Sequence, residues 1–129
     1  MVSYIKAMGK YATFSGRATR REFWGFTIVN WIIWGILLYL WFHYTKGVAM
    51  NVIAAAAVMY FLVTIVPSAA LIVRRWHDLG RTGAWIILNL VPVIGYIVTL
   101  GFFLYKGDSF TNKYGRDPYA AGTRRKRRR

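Results

Sequence analysis

Phe23 to Thr45 reads FWGFTIVNWIIWGILLYLWFHYT, 23 residues without a formal charge. Trp24 and Trp41 sit 17 residues apart in it, roughly 26 Å along a helix at 1.5 Å per residue. A hydrocarbon core is about 30 Å thick and indole rings gather at its two interfaces, so the spacing predicts a membrane-spanning helix bracketed by these rings. Trp31 and Trp34 lie between them and read as packing or lipid-facing residues. Asn30 is polar inside the span, and hydrocarbon offers it no partner, so it is expected to hydrogen-bond to a neighbouring helix.

Two further uncharged stretches follow, Gly47–Val73 with 27 residues and Thr82–Tyr105 with 24. The chain is 57% hydrophobic yet carries a formal net charge of +14 over 129 residues. A soluble domain disperses its charge over its surface. Here the charge is segregated to the ends and turns, so the composition points to an all-α integral membrane protein. The first stretch is longer than a signal-peptide core and no small-residue cleavage site follows it, so it is expected to stay as an anchor. The absence of cysteine excludes disulfides and thiolate chemistry.

Lys46 and Gly47 make a very short turn, which sets the second helix antiparallel to the first. Ala54 to Ala57, Ala69 and Ala70 let helix backbones approach closely. Pro67 is expected to kink this helix without ending it, with Ser68 or Thr64 helping to satisfy the freed carbonyl. Pro92 and Gly95 divide the third stretch, and each half has half a bilayer's length. It is either one kinked span or a re-entrant helical hairpin. Before the first span, Tyr4, Ile5, Met8, Tyr11 and Ala12 share one helical face, which suggests a short amphipathic helix on the membrane surface. The expected organisation is a single membrane domain over 1–119, with spans near 23–45, 47–73 and 82–105, and a basic tail without fixed structure over 120–129.

Lys and Arg mark the cytoplasmic flanks of membrane helices. The N-terminal segment has five, the first turn one, the second turn three and the tail nine. Three full spans would put eight on one side and ten on the other; a hairpin would put 17 on one side and one on the other. The count favours the hairpin, with both termini cytoplasmic.

Three polar motifs edge the apolar stretches: FSGRATRREFW (Phe14–Trp24), RRWHDLGRTGAW (Arg74–Trp85) and NKYGRDP (Asn112–Pro118). Thr19 and Glu22 have capping-box spacing at the start of the first span. Glu22 is costly to desolvate there, so an arginine partner is expected. Separately, each motif reads as interfacial anchoring. Brought together, Glu22 and Asp78 would neutralise part of an arginine cluster, leaving a cationic site for a phosphate-bearing ligand such as a lipid headgroup. The candidate residues are Arg17, Arg20, Glu22, Arg74, Arg75, His77, Asp78 and Arg81, joined by Asn112 and Tyr114 if the tail returns.

At these residues the chain resembles the bacterial inner-membrane proteins catalogued as domain of unknown function 805. The resemblance rests on Gly16, Arg17, Arg20, Glu22, Phe23 and Trp24, then on Arg74, Arg75, His77, Asp78, Gly80, Arg81, Gly83 and Trp85. It closes on Asn112, Lys113, Tyr114, Gly115, Asp117 and Pro118. It covers about residues 4–119 and departs at Trp76, Thr82 and Ala84, where leucine, serine and tryptophan are usual. It implies location and architecture and brings no activity with it.

Catalysis is poorly supported. Adjacent helical residues such as His77 and Asp78 point about 100° apart, and His43 and His77 are too few for a metal site. No cofactor is expected. The reading is a non-enzymatic binding or scaffold component; the alternatives are a subunit of an oligomeric transporter or channel, then a lipid-modifying enzyme. Anionic membrane lipid is the expected partner, with self-association or another membrane protein beside it. For the RRKRRR run at Arg124–Arg129, anionic lipid ranks first, a passive solvated tail second and nucleic acid third.

Overall fold

Thr19 starts the first long helix. Its hydroxyl accepts from the Glu22 amide at 3.1 Å, which satisfies one of the donors that every helix N-terminus leaves open. The computed structural model describes residues 2–44, 46–91 and 93–120. The Arg124–Arg129 run, Thr45 and Pro92 lie outside them. The described elements are α1 (Val2–Gly9), α2 (Arg20–His43), α3 (Val48–Asp78), a 3₁₀ helix (Gly83–Leu90) and α4 (Ile94–Leu104). Among the described residues the fold is all-helical, apart from one isolated bridge between Asn112 and Gly115.

α2 has 24 residues and α3 has 31, about 36 and 46 Å at 1.5 Å per residue, so both exceed a hydrocarbon core. Only 22% of the most apolar window of each helix is buried. Ile28, Ile32, Ile36, Leu38 and Phe42 on α2, with Val52, Met59 and Leu62 on α3, stand exposed. Water would not tolerate two such faces, whereas acyl chains solvate them. The chain is a membrane protein.

The interhelical bond of Asn30 is present: the Tyr60 hydroxyl donates to its Oδ1 at 2.7 Å. Its Nδ2 donates to the Phe26 carbonyl at 2.9 Å. α3 runs unbroken through Pro67. The Ser68 hydroxyl bonds Thr64 O at 2.6 Å, one residue beyond the Val63 carbonyl that the proline ring frees, so the expected rescue falls on the neighbouring carbonyl. A side chain at 68 reaches back four residues, and position 64 is where that lands.

α1 is shorter than its apolar pattern, ending at Gly9. Its inward residues are Ala7, fully buried, with Tyr4 and Met8 packed against the core; Ile5 and Tyr11 are exposed. The Tyr4 ring stacks on Phe26 at 5.1 Å.

The third stretch divides as its Pro and Gly suggest, but its first half is 3₁₀, not α. Eight residues at about 2.0 Å and eleven at about 1.5 Å give halves of nearly equal length, roughly 16 Å. Gly95 is buried where an added Cβ would strike the Leu88 carbonyl, so the halves meet closely because position 95 is glycine. Beside it Val93 has φ 65°, a strained value for a β-branched residue. A Cβ on Gly83 would lie 2.7 Å from Val73, and the Tyr105 carbonyl accepts from Arg75. Both ends of the stretch therefore meet the same end of α3.

Candidate functional site

That end of α3 carries Arg74, Arg75 and Asp78, each 0% exposed. Burying unpaired charge is prohibitive, so their partners decide what this region is. Asp78 Oδ1 accepts from Arg17 Nε at 2.9 Å, across 61 residues of sequence. Its Oδ2 accepts from Arg75 Nη1. Glu22, 3% exposed, takes Arg74 Nη1 on Oε1 at 3.0 Å and Lys6 Nζ on Oε2 at 3.4 Å. The arginine partner expected for Glu22 is thus Arg74, one helix away.

Three buried guanidinium groups face two buried carboxylates, and backbone carbonyls take up much of the remainder. Arg17 also donates to Phe110 O at 2.7 Å and to Asp108 O. Arg75 donates to Phe103 O at 3.1 Å and to Tyr105 O. Arg20 Nη1 donates to Leu104 O at 3.0 Å. Phe103, Leu104 and Tyr105 end α4, where a helix leaves unpaired carbonyls and its dipole is negative. Arg75 and Arg20 therefore cap α4.

The third motif closes over the second. The His77 and Tyr114 rings stack at 3.9 Å and 5°. Asn112 Nδ2 donates to His77 O and to Asp108 Oδ2, both at 2.9 Å. The first motif meets them too: His77 Nδ1 lies 3.1 Å from Gly16 O, and the Ala18 amide donates to Arg74 O at 3.0 Å. A carbonyl only accepts, so His77 Nδ1 carries a proton and the ring is committed to the fold. The three motifs form one ionic knot.

Of the ten candidates, Arg17, Glu22, Arg74, Arg75 and Asp78 are inside this knot. His77, Asn112 and Tyr114 are half-buried around it. Arg20 is at its surface, and Arg81 is exposed on the turn that follows α3, its amide bonded to Trp76 O and its guanidinium 5.1 Å over the Trp85 ring. Sequence reasoning missed Gly107 and Asp108. The Asp108 amide donates to Asp78 O at 2.8 Å. A Cβ on Gly107 would collide with the Asp78 carboxylate. The signal available was a glycine directly after the last apolar stretch, in Lys106-Gly107-Asp108. Trp76 was also passed over as a departure; it is fully buried against Trp85, Phe102 and Phe103.

The segments that form the knot also carry exposed cations: Lys6, Arg20, Arg21, Arg81, Lys106, Lys113 and Arg116. Among the described lysines and arginines, Lys46 alone lies at the opposite ends of α2 and α3.

The family model described as protein of unknown function (DUF805) matches residues 11–116. Inner membrane protein YhaI of Escherichia coli K12 is 40% identical over 115 residues, which is 89% of this chain and 93% of that protein. Inner membrane protein YhaH of the same strain is 32% identical over 115 residues, 89% of this chain and 94% of its own length. No solved structure matches.

Proposed function

Because the chain belongs to the DUF805 family, we propose that it is a multi-pass protein of the bacterial inner membrane that acts as a non-enzymatic binding or scaffold component. Its knotted face is cytoplasmic and receives anionic lipid headgroups or the acidic surface of a partner protein. The observation that carries this reading is the internal pairing of the knot. Arg17, Arg74 and Arg75 are paired to Glu22 and Asp78, so they build the face and do not receive the ligand. The receptors are the cations left outside, with Arg20, Arg21 and Arg81 foremost.

The same geometry supports a topology. Both ends of the third stretch meet the knot, which fits a re-entrant hairpin with halves of roughly 16 Å, each half a bilayer deep. The termini then share the cytoplasmic side, and Lys46 faces the other. α1 lies beside α2 at the headgroup level, with Lys6 on Glu22. An enzyme reading gains nothing here, because His77 is turned to Gly16 and Tyr114 while Asp78 faces Arg17 and Arg75.

Each basic residue near an anionic surface is worth about 1 kcal/mol, or roughly fivefold in affinity. The test is retention of phosphatidylglycerol over phosphatidylcholine by the full chain in mixed micelles. Wild type is expected to enrich the anionic lipid, and the triple substitution Arg20→Gln, Arg21→Gln, Arg81→Gln to cut that enrichment strongly, by about fivefold per charge removed, with the melting temperature falling by no more than a few degrees for the lost Arg20 bond to Leu104 O. Enrichment undiminished by the triple substitution refutes the reading.

A further inference from the structure

Below the knot, α2, α3 and α4 line an open-sided cavity of about 320 Å³. Its α2 wall is the stripe Phe23, Phe26, Thr27, Asn30, Trp31 and Trp34. From Phe23 to Trp34 is eleven residues, about 16 Å, or one leaflet of the hydrocarbon core. An apolar cavity of about 150 Å³ takes one benzene, so this one holds about a dozen carbons.

The lining is not uniformly apolar. Thr99 on α4 is 1% exposed, and its hydroxyl has no hydrogen-bond partner. A threonine on a helix normally bonds a carbonyl of its own preceding turn, as Thr64 does with Tyr60 O at 2.7 Å on the facing wall. A buried hydroxyl left unpaired destabilises the empty protein, so an acceptor supplied by a guest would complete it. Thr99 lies six residues before Tyr105, about 9 Å beneath the carbonyls that the knot binds. The headgroup layer on each side of a bilayer is roughly 5–8 Å thick. That depth is where the ester carbonyls of a phospholipid join its acyl chains. Arg20 continues the α2 stripe above Phe23, is exposed, and bonds Leu104 O on the α4 wall, so a guanidinium stands over the cavity at the phosphate level.

We infer that this cavity binds one glycerophospholipid of the knot-side leaflet: an acyl chain lies along the α2 stripe, the ester carbonyl accepts from Thr99, and the phosphate meets Arg20. This deepens the headgroup reading and rests on it for the phosphate. A second copy of the chain is the poorer occupant. A helix is about 10 Å across and cannot enter the slot, and its backbone carbonyls are already bonded.

The test uses the full chain in detergent, stripped of lipid, with retained lipid counted by native mass spectrometry. The probes are diester phosphatidylglycerol and its diether analogue, which lacks the carbonyls. Wild type is expected to hold one diester lipid about fivefold more tightly than the diether, the worth of one net hydrogen bond. Thr99→Val erases that ratio and raises the melting temperature of the lipid-free protein, since a methyl replaces an unpaired hydroxyl; Thr99→Ser keeps the ratio. Arg20→Gln weakens both lipids equally. Equal retention of the two lipids by wild type, a ratio that survives Thr99→Val, or a lipid-free dimer with Trp31 and Trp34 covered each overturns the chain site. An intact ester ratio with an Arg20→Gln protein that has lost nothing overturns the phosphate placement alone.

Discussion

Replacing Asp78 by asparagine keeps its shape and removes the charge that two buried guanidinium groups face. An asparagine offers one accepting oxygen and one donating amide, so it can accept from Arg17 or Arg75 but not both; the bond lost, one to a charged group, is worth about 1.5–3 kcal/mol. Both arginines have side chains at 1% exposure or less and, among the described residues, pair with no other carboxylate, so both lose their compensating charge. Breaking a buried pair in this way typically costs about 3–5 kcal/mol. The assay is thermal unfolding in detergent followed by tryptophan fluorescence, because Trp76 is fully buried beside the knot. A chain of this size should lose roughly 10–20 °C. Lys46→Gln, exposed at the far ends of the helices, should change nothing. Arg17→Gln added to Asp78→Asn should cost less than the two single losses together, because each single variant already breaks their shared contact. A loss below about 2 °C, within the range of ordinary surface substitutions, or strict additivity, would refute the ionic-knot account.

Gly107→Ala places a methyl on the Asp78 carboxylate and carbonyl; overpacking of that kind costs about 1–3 kcal/mol, and the same melt should show it. Tyr60→Phe removes the hydroxyl that bonds Asn30 and should cost about 0.6 kcal/mol, the usual worth of an interhelical hydrogen bond in a membrane. Asn30→Ala, which also releases the Phe26 carbonyl, should cost at least as much. Raising the salt should weaken phosphatidylglycerol enrichment, because exposed cations are screened, and should leave the melting temperature nearly unchanged, because the pairs inside the knot are covered.

The two long helices were legible because an uncharged run is itself the physical requirement for lying in acyl chains. The need of Glu22 for an arginine and of Asn30 for a neighbouring helix followed from the cost of desolvating them. Their identities, Arg74 and Tyr60, did not, since 52 and 30 residues of sequence separate the pairs and only tertiary packing chooses among candidates. Interfacial anchoring, the reading of each motif by itself, gave no sign that Arg17, Arg74 and Arg75 are buried. They are buried because the carbonyls ending α4 and the Gly107–Asp108 turn return to meet them, and nothing local to an arginine announces a carbonyl from another element. The apolar pattern of α1 ran past Gly9, where the helix ends; glycine is a poor helix former. The 3₁₀ winding of the third stretch was equally hidden, because an apolar run carries no mark of how many residues make a turn.

The account stands on one geometric claim, that the segment after α4 returns to the side from which α2 starts. Fusing the C-terminus to a reporter active only in the cytoplasm, and separately to one active only outside it, measures this directly. The account predicts activity from the cytoplasmic reporter and silence from the other, for fusions at the N-terminus as well as the C-terminus. An external C-terminus with a cytoplasmic N-terminus would place Asp108 and Asn112 across the membrane from Arg17 and His77, and the knot could not exist.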